Sequence, residues 1–95
     1  MSDPDPAQRW IFRGRVQGVG FRYTALHLSR RHPVRGFVRN LRDGSVELVA
    51  CADASVLLRF LGDIQQALGK NIQEHTSEPW RDAADFPDFR IQPDG

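Results

Sequence analysis

The hydrophobic pattern of this chain predicts an α+β domain with the element order βαββαβ. Three observations carry that reading. Stretches with a two-residue apolar period are interleaved with stretches carrying a 3.6-residue stripe. An Asp-Gly pair stands between two of the two-period stretches, a strong hairpin signal. The 95 residues suffice for one domain and not for two. A domain of this size buries only about 60–65% of its unfolded surface, so its core must come from a few well-patterned elements. Apolar residues make up 40% of the chain and charged residues 26%, as in an ordinary globular protein.

Residues 1–7 form an acidic, proline-containing leader ahead of a single domain at 8–95. Residues 8–16 alternate. Trp10, Phe12 and Val16 share one parity; Arg9, Ile11, Arg13 and Arg15 take the other, which predicts a strand. Residues 20–32 predict a helix, with Phe21, Ala25 and Leu28 at i, i+4 and i+7. Pro33 disfavours helix at the residue before it, so that helix stops by about His32. Residues 34–40 are the second strand. Arg42, Asp43 and Gly44 make the turn, and residues 45–51 are the third strand. Asp53 stands as an N-cap. Leu57, Phe60, Leu61, Ile64 and Leu68 then trace an amphipathic helix, with Gly69 as its stop. Beyond it, residues 72–75 read as a short strand and 88–92 as another. The stretch between them reads as a loop. The order is that of the ferredoxin-like split βαβ arrangement: a four-stranded antiparallel sheet with two helices on one face. That fold hosts many activities and assigns none.

Composition narrows the function. A formal net charge of +1 argues against a general nucleic-acid binder. No apolar run approaches the roughly 20 residues that span a bilayer, so no membrane partner is expected. Cys51 is the only cysteine; an internal disulfide is impossible, which fits a reducing cytoplasm. His27, His32 and His75 lack the spacing and the companions of a metal site and read as surface residues. Cys51 reads as a structural thiol, Asp43 as a turn residue and Asp53 as a cap. Neither a carboxylate pair nor a metal or cofactor motif emerges.

The stretch GRVQGVGFR, residues 14–22, is different. It joins the first strand to the first helix, whose first N–H groups have no partner within the helix. The cap positions are Val19 and Gly20, and neither carries a capping side chain. Exposed donors at a positive dipole end suit an anion. Gly14, Gly18 and Gly20 allow backbone amides to turn inward as a nest. Arg22, in the first turn, can add a bidentate donor to phosphate, although a cation there is unfavourable without a partner. The plainer reading is a tight turn with a solvated arginine. The stretch is neither a Walker loop nor the dinucleotide G-x-G-x-x-G. Asn40, at the end of the second strand, is the second candidate. By itself it reads as a turn residue bonding nearby backbone.

GRVQGVGFR followed by GFVRNLRDGSVEL, residues 36–48, closely resembles the acylphosphatase family. The family pattern is V-Q-G-V-x-F-R and, eighteen residues after its arginine, the asparagine of G-x-V-x-N-x-x-D-G. Arg22 and Asn40 have that separation. FPDFRI, residues 86–91, is similar to the family's last strand. Two departures stand out. The first helix ends His32-Pro33 where the family often has Leu-Gly, and residues 69–85 lack the usual Gly-Pro start. The resemblance implies hydrolysis of an acyl phosphate to a carboxylate and inorganic phosphate, the latter also an inhibitor, without a cofactor or metal. It implies that the backbone N–H groups of Gln17, Gly18, Val19, Gly20 and Phe21 hold the phosphate together with Arg22, while Asn40 aims the attacking water. A monomer is the expected state. Two alternatives remain. One is an accessory phosphate-binding domain with weak catalysis, which the shortness of the chain disfavours. The other is an RNA-binding module of the same topology, for which only Phe37 offers a stacking aromatic on its strand.

Overall fold

The computed structural model describes residues 5–81 and 86–95. The elements run β1 (Ala7–Gly14), α1 (Phe21–Ser29), β2 (Arg35–Asn40), β3 (Val46–Cys51), α2 (Ala54–Leu68), one 3-10 turn (Gly69–Asn71), β4 (Ile72–Pro79) and β5 (Phe89–Ile91). The sheet order is β4-β1-β3-β2-β5. Its first four strands are antiparallel and form the expected ferredoxin-like sheet. β5 adds a fifth, parallel to β2, so the sheet is mixed and not purely four-stranded antiparallel.

Alternation along the strands divides the sheet into two faces. Trp10 and Phe12 of β1, Val38 of β2 and Val46, Leu48 and Ala50 of β3 point to the helical side. There they meet Phe21, Ala25 and Leu28 of α1 and Val56, Leu57, Phe60, Ile64 and Leu68 of α2. Both apolar stripes read from the sequence are the buried ones, apart from half-buried Leu61. Asp53 caps α2 as expected, accepting a hydrogen bond from the Ser55 amide at 3.1 Å.

The opposite face is not simply polar. Ile11, Phe37 and Val49 are buried there. Phe37 meets Trp80 edge-on, with centroids 6.1 Å apart, and lies 5.9 Å from the Phe86 ring. Beside them Glu47, 3% exposed, accepts from Arg9 Nε at 2.5 Å and Arg39 Nε at 2.6 Å. Arg9 also donates to Glu78 at 2.6 Å. A buried carboxylate needs such partners. This cluster binds β1, β2, β3 and β4 across the face away from the helices.

Several boundaries differ from the sequence reading. α1 ends at Ser29, and Arg30, Arg31 and His32 close successive three-residue turns instead of a last helical turn. Gly69 is right-handed and opens the 3-10 turn; it is not a left-handed stop. β4 runs to Pro79, twice the expected length, so residues 76–79 are strand and not loop. Residues 82–85 of the expected loop, and 1–4 of the expected leader, lie outside the described residues. Ala7 already belongs to β1, and the Pro6 carbonyl accepts from the Ala52 amide at 3.1 Å. His32 is no surface residue. Its Nε2 lies 2.7 Å from Asp63 Oδ2 of α2 and its ring meets Phe60 edge-on, tying the end of α1 to α2.

Candidate active site

The site lies where β1 passes into α1, beside the end of β2. Phe21, the first residue of α1, packs against Phe12 of β1 in a tilted pair with centroids 5.1 Å apart, which pins the start of the helix to the sheet. The N-cap is Gly20, left-handed at φ 81°, with no side-chain cap. The first helical bond runs from the Thr24 amide to the Gly20 carbonyl at 2.9 Å, so the N–H groups before Thr24 lie outside the helical ladder. Gly18 is also left-handed, at φ 75°. Left-handed residues thus flank Val19, a backbone pattern that can turn successive N–H groups inward. A Cβ at Gly18 or Gly20 would meet nothing within 4 Å, so conformation demands glycine here and crowding does not.

Gly14 serves another purpose. A Cβ there would stand 2.5 Å from the Asn71 carbonyl oxygen and 2.7 Å from the Gln73 amide. It allows β4 to close onto β1 at the register shift between Arg13 and Gly14. It is a packing glycine.

Asn40 is the last residue of β2 and is 9% exposed. It shares the helical side of the sheet with Val38, whereas Arg39 turns to Glu47 on the other face. Side-chain bonds to the hairpin backbone come from Gln17 and Asp43. Asp43 accepts from the Ser45 amide at 3.0 Å and from its hydroxyl, and these bonds hold the Asp43 carboxyl below its ordinary value of 3.8. The Asn40 backbone carbonyl accepts from the Gly95 amide at 2.9 Å.

Two side-chain contacts here were not foreseen from the sequence. Gln17 was expected to contribute only its backbone N–H. Its side-chain Nε2 donates to the carbonyls of Leu41 at 2.7 Å and Ser45 at 2.9 Å, crossing from the loop to the hairpin. Asp94 lies beyond β5, where the tail continues along β2 with Gln92 N donating to Val38 O at 3.0 Å. Its Oδ1 stands 3.5 Å from Arg22 Nη1. Asp94 supplies the counter-charge that a cation in the first turn of a helix lacks. Asp94 contacts Arg22 and the Gly95 amide bonds the Asn40 backbone carbonyl, so the tail runs past both sequence-predicted positions. Motif spacing could not reveal either contact. Among the described residues, no three His, Cys, Asp or Glu side chains gather as a metal site.

An uncapped, glycine-turned helix start with an arginine in its first turn, on an α+β scaffold, is chemically suited to an oxyanion. The acylphosphatase family model matches residues 8–91, and the chain belongs to that family. It is 42% identical over 83 residues to an acylphosphatase of Treponema denticola, covering 86% of this chain and 87% of that one. The crystal structure of acylphosphatase from Bacillus subtilis superposes with a TM-score of 0.80 at 27% identity, over 92% of this chain and 98% of that one. The fold also matches the T. kodakarensis HypF structure, with a TM-score of 0.81 at 24% identity, over 92% of this chain but only 12% of that chain.

Proposed function

We propose that this acylphosphatase-family domain hydrolyses the carboxyl–phosphate bond of small acyl phosphates through the residues gathered at the start of α1. The observation that carries the reading is the pairing of an uncapped, left-handed Gly20 helix start with Arg22 in its first turn. The N–H groups of Gln17, Gly18, Val19, Gly20 and Phe21 hold the phosphoryl oxygens, and the Arg22 guanidinium binds them as a charged fork. Asn40 hydrogen-bonds the attacking water and aims it at phosphorus. The new bond joins water oxygen to phosphorus. The bond that breaks joins phosphorus to the acyl oxygen, which departs as a carboxylate. The water's proton passes to a phosphoryl oxygen, giving dihydrogen phosphate. A carboxylate is a good leaving group and a loose transition state asks little of its nucleophile, so positioning and charge stabilisation suffice. An amide side chain is adequate to aim water without acting as a base.

The domain acts as a monomer in the cytoplasm, residues 8–95 working as one unit with no metal or cofactor. Its lone cysteine and the lack of a helix long and apolar enough to cross a membrane among the described residues fit this reading. Inorganic phosphate competes with substrate because it fills the same cradle. The RNA-binding alternative loses its best residue: Phe37 is buried beneath Trp80 and Phe86 on the face where bases would stack. The test is turnover of a simple acyl phosphate in the presence of a chelator, with inorganic phosphate as competitor. Metal-independent turnover with competitive inhibition is expected. No turnover, with phosphate still bound, would establish the accessory-domain alternative instead.

A further inference from the structure

The proposed chemistry draws its groups from two separate pieces of chain. The phosphate cradle belongs to the β1–α1 connection, and Asn40 belongs to the end of β2. In-line attack requires these to be held in one frame. We propose that the Gln17 side chain is the positioning residue that sets this frame, by clamping the phosphate loop onto the base of the β2–β3 hairpin.

An amide nitrogen has two hydrogens to donate. Gln17 is placed to spend both on the hairpin, at 2.7 Å to Leu41 O and 2.9 Å to Ser45 O. Leu41 directly follows Asn40 in the chain, so the clamp lands one residue from the water-aiming side chain. The hairpin is firm at that point. The Leu41 amide donates to Ser45 O at 2.9 Å, Ser45 is 2% exposed, and Asp43 bonds the Ser45 amide. The same residue offers its backbone N–H to the cradle, so a single residue couples phosphate site to water site. One other side-chain contact from this end of β1 to the hairpin is given by Arg13 and Asp43, 3.8 Å apart and exposed, a pair worth little.

The proposal rests on the hydrolase reading, and it predicts a particular division of effects. Gln17→Ala leaves Arg22 and the loop amides in sequence but frees them from Asn40. Misplacement of about 1 Å costs on the order of 10²-fold in rate. We therefore expect kcat to fall by about 10- to 100-fold while the inhibition constant of inorganic phosphate changes by less than about threefold. A merely structural glutamine would lower the melting temperature without that split. The decisive measurement is kcat for the parent, Gln17→Ala, Asn40→Ala and the double variant. With no Asn40 amide to aim, the double variant should be as active as Asn40→Ala. Losses that multiply in the double variant would overturn the clamp, as would a Gln17→Ala kcat within about threefold of the parent, or a rise in the phosphate inhibition constant equal to the fall in kcat. Gln17→Asn is the milder probe should the alanine variant fail to fold: its shorter amide cannot span both carbonyls, and the same comparisons apply to it. A parent chain without turnover would instead refute the hydrolase reading, with the phosphate titration showing whether the cradle itself binds.

Discussion

Arg22→Ala separates function from stability in this molecule. The Arg22 side chain is 35% exposed, and its partner Asp94 stands 3.5 Å away and is itself mostly exposed. Such a pair contributes about 0–1 kcal/mol once solvent screening is counted. Against this, a cation in the first turn opposes the helix dipole by roughly 0.3–1 kcal/mol. The two effects offset, so the variant should stay within about 1 kcal/mol of the parent, or about 4–8 °C in melting temperature for a domain of this size. Activity should respond very differently. One preorganised donor to a developing oxyanion is worth about 10²–10³ in kcat, or about 2.7–4 kcal/mol. A charge-assisted hydrogen bond to bound phosphate is worth roughly 1.5–3 kcal/mol, about 10- to 100-fold in its inhibition constant. The assay is steady-state hydrolysis of a simple acyl phosphate with phosphate as competitor, beside a thermal melt of the same preparation. A folded Arg22→Ala protein with near-parent turnover and phosphate affinity would refute the reasoning. A melting temperature lowered far beyond that range would refute the claim that Arg22 is energetically idle in the empty fold.

The proposed function gives the Arg22 guanidinium to phosphate, so Asp94 should compete for it and Asp94→Asn should tighten phosphate inhibition by about two- to fivefold, consistent with an exposed pair. The effect should shrink at high salt and vanish in an Arg22→Ala background; weaker inhibition in Asp94→Asn would show that the carboxylate orients Arg22 rather than competing for it. Asp53 is held below its ordinary value of 3.8, first by the Ser55 hydroxyl and then by the Ser55 amide. A carboxylate with a depressed folded pKa stabilises above its unfolded pKa and loses that contribution as pH falls through the folded value. Asp53→Ala should therefore lower the melting temperature at pH 7, and the gap to the parent should close as pH drops below about 4. A gap that is constant from pH 7 to pH 2.5 would exclude the ionised cap as its cause.

The bare N-terminus of α1 was legible because capping is a local property. The helix period begins at Phe21, and Val19 and Gly20 before it have no side chain that could cap. The stripes of α1 and α2 and the turn before β3 were legible for the same reason, since each is written over a few neighbouring residues. β4 was half-missed for a physical reason. Only Ile72 of its eight residues is even partly buried, so the strand carries no alternating signal, and its existence depends on backbone pairing with β1. β5 is three residues long and acquires its identity from parallel pairing with β2. The second apolar cluster on the far face was obscured by the charged residues beside it. Ile11 alternates with arginines in the sequence, but Glu47 pairs with both Arg9 and Arg39, and Phe37 packs against Trp80 and Phe86.

By itself, then, the sequence determined the order of elements, the uncapped glycine-rich helix start, and the Arg22–Asn40 spacing that carries the family resemblance. These depend on near neighbours or on intervals along the chain. Tertiary structure alone decided that Gly14 packs against β4 while Gly18 and Gly20 shape the loop, that the Gln17 side chain reaches the hairpin, that His32 joins α1 to α2, and that Asp94 returns to Arg22. Each of these contacts joins residues brought close only when the sheet closes, and a polar side chain shows no periodicity that announces its distant partner. The resemblance nominated Arg22, Asn40 and the loop amides, and the folded chain decided the contacts that Gln17 and Asp94 make.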